Sequence, residues 1–114
     1  MSAYMKLLDE AVAALEQEAK ALRASGRGDE ADLVRIRINI HRIAGTIYQV
    51  CLRSSQGEAL REAFLKKLDA LPENWRAARE LALAHDDQCR VVIEDIKLDT
   101  LAGLRARYLE TEGL

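Results

Sequence analysis

Apolar side chains recur at alternating intervals of three and four residues along most of this chain, which is the spacing of one face of an α-helix. The first such stripe consists of Met5, Leu8, Val12, Leu15, Ala19 and Leu22. Ile36, Ile38 and Ile40 alternate as residues of a strand would, but helical spacing continues for ten residues beyond them. We therefore predict an all-α protein without a β-sheet.

Breaks in these stripes divide the chain into four predicted helical segments. Ser2 can cap the first helix, which should end near Ser25 because glycines follow. Asp29 can cap the second helix, which should end near Arg53. A short third helix should then end at Pro72, because proline disfavours helical dihedrals in the residue before it, and Pro72 can start the fourth segment.

The last segment carries a stripe that changes direction. One apolar face runs from Trp75 to Ile96, and the apolar residues beyond it lie about 80° or more further round the helix at about 100° per residue. Those residues are Leu101, Leu104 and Tyr108. The segment therefore either continues as one long helix or breaks near Leu98–Thr100, and the pattern leaves both alternatives open.

These segments predict one domain, residues 1–114, folded as an antiparallel up-and-down helical bundle of three long helices plus one short helix. The second helix should be central because it carries two apolar stripes. One stripe consists of Leu33, Ile36, Ile40, Ile43, Ile47 and Val50, and the other of Val34, Ile38, His41, Gly45, Tyr48 and Leu52. The sequence shows no internal repeat that we could detect.

Two stripes on one helix, together with the displaced C-terminal stripe, need more cover than four helices readily supply. A homodimer could provide it, because the same patch would cover itself across a twofold axis. We expect the first stripe of the second helix to face the core. The predicted subunit interface is Ile38, His41, Gly45, Tyr48, Leu52, Leu101, Leu104 and Tyr108.

Composition excludes several functions. Seventeen basic and nineteen acidic residues give a formal charge of −2, so we expect no nucleic-acid binding. No apolar run approaches the ~18 residues of a membrane span, and residues 1–6 lack the pattern of a signal peptide. Cys51 and Cys89 form no CxxC pair, which indicates reduced thiols. We expect a cytoplasmic protein without membrane contact.

His85 and Cys89 are the candidate metal ligands, because on one helix they would lie one turn apart and could reach the same ion. They supply half of a tetrahedral set, and no ExxH or HExxH motif accompanies them. Glu94, Asp95 and Asp99 follow on the same segment, but no second carboxylate pair of matching spacing faces them. We therefore favour packing roles and predict no cofactor and no catalytic residue.

The sequence predicts a non-enzymatic interaction or scaffold module that acts as a homodimer, with an unidentified protein as a further partner. The alternative is a small metal-binding, ligand-binding or catalytic helical protein centred on His85, Cys89 and the acids of the last helix.

Overall fold

The computed structural model of the protein describes residues 2–113, and in that range it contains helices and no strand. The elements are α1 (Ala3–Ala24), α2 (Gly28–Ser54), α3 (Gly57–Ala70), α4 (Pro72–Ala84), α5 (Gln88–Tyr108) and a final π-helical turn (Leu109–Gly113). The predicted all-α fold is confirmed.

The helices alternate in direction. Two ion pairs hold α1 antiparallel to α2, Arg23–Asp32 at 2.7 Å near their loop and Arg42–Glu16 at 2.5 Å further down. A third pair, Arg79–Asp95 at 2.5 Å, joins α4 to α5 in the same way. α3 and α4 follow each other as one kinked helix.

The kink between α3 and α4 lies at Leu71 and Pro72. Leu71 keeps helical dihedrals, φ −61° and ψ −43°. Pro72 lacks an N–H group and starts the new helix, as predicted. α3 and α4 therefore run in the same direction and together form the third of the four antiparallel segments of the bundle.

The expected course of the last segment is wrong in both alternatives. α5 passes through Leu98–Thr100 without interruption, and the break lies earlier, at His85–Asp87. The bundle therefore has three long helices and two shorter ones instead of one. The break was missed because Asp86, at φ 55°, occupies the left-handed position that glycine usually marks.

The two hairpin loops have the same hydrogen-bonded structure. After α1, Gly26 has φ 80°, and the N–H of Arg27 donates to Leu22 O at 2.8 Å. After α4, Asp86 has φ 55°, and the N–H of Asp87 donates to Ala82 O at 2.8 Å. Both are Schellman motifs, and each residue of the second loop lies sixty positions after its counterpart.

The same sixty-residue offset relates the aromatic core. Tyr4 and Phe64 lie sixty positions apart, as do Tyr48 and Tyr108, and the four rings meet edge to face. Tyr4 lies 5.0 Å from Tyr108, and Tyr48 lies 5.0 Å from Phe64, measured between ring centroids. Such reciprocal contacts are those that an approximate twofold axis produces.

The chain is therefore an internal repeat of two helical hairpins. The first hairpin is α1 and α2, the second is α3, α4 and α5, and equivalent positions differ by sixty. Burial follows the repeat, since Leu8 and its equivalent Leu68 are both buried, as are Ala44 and Leu104. The repeat was not detected in the sequence because it lies in burial and loop geometry, while few residues are identical at the offset of sixty.

The left-handed residue of the second loop gives a stability prediction. Asp86→Gly should raise the free energy of unfolding by about 0.5–1 kcal/mol, because glycine adopts positive φ without a Cβ penalty. Its matched control is Gly26→Asp, which should lower it by a similar amount. Urea denaturation measures both changes, and a loss of stability in Asp86→Gly would contradict the equivalence of the loops.

Candidate functional site

Seven of the eight residues predicted to form a subunit interface are buried inside the chain itself. These are Ile38, His41, Gly45, Tyr48, Leu101, Leu104 and Tyr108. Leu52 alone is exposed, at 42%. The chain's own helices supply the cover that we expected from a second subunit. The seven buried residues therefore face the core and do not support a dimer.

The other apolar stripe of α2, which was expected to face the core, is instead partly open to solvent. It consists of Leu33, Ile36, Ile40, Ile43, Ile47 and Val50. Ile43 is 38% exposed and Val50 is 46% exposed, although Ile40, one turn before Ile43, is buried. The expectation that this whole stripe faces the core is wrong, because α1, α3 and α5 cover the opposite side of α2. We call Ile36, Ile43 and Val50, spaced seven residues apart, the outer stripe.

His85 and Cys89 do not share a helix face. His85 ends α4, Cys89 lies in the first turn of α5, and both are exposed. The His85 ring Nδ1–H donates to Leu81 O at 3.1 Å. The metal hypothesis assumed one continuous helix, and that premise is wrong; within residues 2–113 no three His, Cys, Asp or Glu residues are grouped to hold a metal.

An open groove of about 350 Å³ lies between the first hairpin and α5. We call it the polar groove. Its polar lining consists of Arg37, His41, Asp99, Thr100 and Arg107. Small and apolar residues complete it, among them Ala11, Leu15, Gly103 and Leu104.

His41 is the most buried polar group of this groove, at 9% exposure. Its ring Nδ1–H donates to Arg37 O at 2.7 Å, which places the proton on Nδ1. Burial lowers the pKa of His41; the hydrogen bond to Arg37 O opposes this change, and the charge of Arg107 adds to it. His41 is therefore neutral at pH 7, and its Nε2 has no hydrogen-bond partner in the described chain.

The charged groups of the groove are unpaired. Within residues 2–113, no acidic oxygen lies within 4.0 Å of the guanidinium of Arg37 or Arg107, and no basic nitrogen lies that close to Asp99. With His41 neutral, two positive charges and one negative charge face the groove. The groove therefore has a net positive charge.

The internal repeat shows what the fold itself requires at this place. On α5 the groove has Thr100, Gly103 and Arg107, whereas the equivalent positions on α2 are Ile40, Ile43 and Ile47. Thr100 and Arg107 thus stand where the other hairpin has isoleucines, so the bundle does not require polar side chains at these two positions. Arg37 and Asp99, by contrast, have polar equivalents, Lys97 and Asn39.

The opposite wall of the groove, formed by α1, has smaller side chains than the equivalent positions of the second hairpin. Ala11 and Leu15 stand where the second hairpin has Leu71 and Trp75. Leu71 and Trp75 pack against the core, as does Ile47. The larger side chains fill space on their side of the molecule, and the smaller ones leave the polar groove open on the other.

Glu94 is a second buried polar residue, outside the polar groove. It is 1% exposed and stands where the first hairpin has the buried Val34. Its Oε2 accepts from Arg90 Nε at 3.1 Å and Lys97 Nζ at 3.3 Å, while its buried Oε1 has no partner. The repeat shows that a valine fits this position.

None of the helices in residues 2–113 is long and apolar enough to cross a membrane. Comparisons with protein-family models, with curated proteins and with solved structures find no match for this chain.

Proposed function

We propose that the protein is a non-enzymatic interaction module that pairs with a second copy of itself through the outer stripe of α2. The observation that carries the proposal is the exposure of Ile43 and Val50, at 38% and 46%. Their equivalents are Gly103 on α5 and Glu110 in the final π-helical turn, so these two surface positions carry large apolar groups in the first hairpin only.

Burial of this stripe would supply the driving force for pairing. Apolar surface removed from water contributes about 25 cal/mol per Å². A helix of 27 residues is about 40 Å long, and residues seven apart drift by only about 20° round it, so the three members of the stripe lie along one side of α2. A second helix can therefore lie along the stripe.

The stripe is complementary to itself in the antiparallel direction. With Ile43 on the twofold axis, Ile36 lies opposite Val50 of the second copy. In the same register Asp32 comes opposite Ser54, one residue from Arg53, and both charged residues are exposed. Parallel pairing would instead place Arg53 against Arg53, so charge favours the antiparallel arrangement.

Light scattering coupled to size exclusion at micromolar concentration tests the proposal. The wild-type protein should have twice the chain mass of 12.8 kDa. Ile43→Glu should shift it to monomer, because two carboxylates would meet at the axis. The matched control is Leu83→Glu, since Leu83 is also exposed but lies on α4.

A monomeric wild-type protein, or a dimer that persists in Ile43→Glu, would contradict the proposal. Circular dichroism verifies that each variant keeps its helices. The direction of pairing has its own test, because Arg53→Asp should bring its new carboxylate near Asp32 of the second copy and weaken an antiparallel dimer, whereas Arg53→Lys should leave it unchanged.

A further inference from the structure

We propose that the polar groove binds a small organic anion, with its oxyanion held by Arg37 and Arg107 and its apolar body against α1. This site is independent of the pairing surface, because the outer stripe lies on another face of α2.

The volume of the groove suits a small molecule. Its volume of about 350 Å³ falls within the range of roughly 300–1,000 Å³ that is typical of ligand pockets. Ala11, Leu15 and Leu104 give it an apolar floor. A ligand with a short hydrocarbon body would therefore bury that body while its charged end meets the polar lining.

The charges of the groove select an anion. Arg37 and His41 lie one turn apart on α2, and Arg107 faces the same space from α5. Guanidinium groups bind carboxylate and phosphate oxygens with two parallel hydrogen bonds. Asp99 lies eight residues from Arg107, about 12 Å along α5. The Asp99 carboxylate repels an oxyanion from its end of the groove, so the charged group of the ligand should lie at the Arg107 end.

Two observations indicate a site that is built for a ligand. The first is the difference between equivalent positions, since Ile40, Ile43 and Ile47 show that the bundle accepts apolar residues where the groove has polar or small ones. The second is His41, a buried imidazole whose equivalent is the buried Leu101. Its Nε2 lacks a partner within the described chain and is available to a ligand.

Nuclear magnetic resonance of the two histidines measures binding directly. His41 lines the groove, and His85 lies at the exposed end of α4, so His85 is an internal control. The probes are hexanoate, hexyl phosphate, hexanol and inorganic phosphate. Hexanoate or hexyl phosphate should shift the ring signals of His41 in a saturable way and leave those of His85 unchanged.

The probes separate the parts of the proposal. Tighter binding of hexanoate identifies a carboxylate ligand, and tighter binding of hexyl phosphate identifies a phosphate ester. Hexanol that binds as tightly as the anions would overturn the role of the arginines. Inorganic phosphate that binds as tightly would overturn the role of the apolar floor, and no shift of His41 with any probe would overturn the site itself.

Two variants should weaken ligand binding in different ways. Arg107→Gln removes one guanidinium and should weaken hexanoate and hexyl phosphate at least about tenfold. Gly103→Ile fills the groove with the residue found at the equivalent Ile43, and nothing lies within 4 Å of a Cβ added there. The control Arg35→Gln removes an exposed arginine of α2 that is not part of the groove and should bind as the wild type does.

Unchanged binding in both Arg107→Gln and Gly103→Ile would overturn the site. Circular dichroism and the His85 signals show whether each variant is folded. If Arg107→Gln does not fold, Arg37→Gln replaces it, with the same expected loss of at least about tenfold.

Discussion

Replacement of Phe64 by alanine should lower the free energy of unfolding by about 3–5 kcal/mol, which is a large part of the stability of a domain of this size. Phe64 is fully buried, and its ring lies between 4.8 and 5.7 Å from those of Tyr4, Tyr48 and Tyr108. These four rings join both hairpins, so the cavity left by alanine would weaken every contact between them. Urea denaturation followed by circular dichroism measures the loss.

The control for this prediction is Leu83→Ala. Leu83 is 45% exposed, so its truncation should change the free energy of unfolding by no more than about 0.5 kcal/mol. A cost below about 1 kcal/mol for Phe64→Ala would show that the aromatic cluster does not hold the hairpins together.

Replacement of Glu94 by valine should stabilise the protein by about 1–3 kcal/mol, which is the cost of burying a polar group that lacks a partner. A fully buried carboxylate must be removed from water, and one of its oxygens has no hydrogen-bond partner to offset that cost. Valine is the residue at the equivalent Val34, which is also buried. Arg90 is about half exposed and should return to solvent when its partner is removed, and Lys97, at 24% exposure, should extend its ammonium group to solvent as well.

The reverse exchange is the matched control. Val34→Glu should destabilise the protein by about 3 kcal/mol or more, because it buries a carboxylate among Ala31, Ile38 and Ala19. Thermal and urea denaturation compare the two variants. A loss of stability in Glu94→Val would show that the bundle depends on the ion pairs of Glu94, and the reasoning from equivalent positions would be wrong there.

The helices could be predicted from the sequence because their signals are local. Spacing by three and four identified helical segments, Ser2 caps α1 through a bond from Met5 N–H, and Pro72 starts α4. The break at Asp86 could not be predicted, since a left-handed aspartate has no distinct local pattern. The choice between the two stripes of α2 depended on where α1, α3 and α5 dock, which is not local information.

The repeat and the candidate site could be recognised only from the three-dimensional structure. Val34 and Glu94, or Ile43 and Gly103, become informative only once the structure shows that they occupy equivalent places. The sequence showed His41 on an apolar stripe, and this position predicted that the side chain is buried. We placed it in a subunit interface, whereas the structure buries it within the chain. Nothing in the sequence linked Arg37 to Arg107, because α2 and α5 are brought together only when the core that they share is formed.

The central claim is that two equivalent hairpins share one aromatic core around an approximate twofold axis. Nuclear Overhauser contacts between aromatic ring protons test it most directly. The structure predicts two reciprocal contacts between hairpins, Tyr4 with Tyr108 and Tyr48 with Phe64, each with ring centroids 5.0 Å apart. Contacts confined to pairs within one hairpin, Tyr4 with Tyr48 and Phe64 with Tyr108, would contradict the shared core and the equivalence of positions on which both proposals depend.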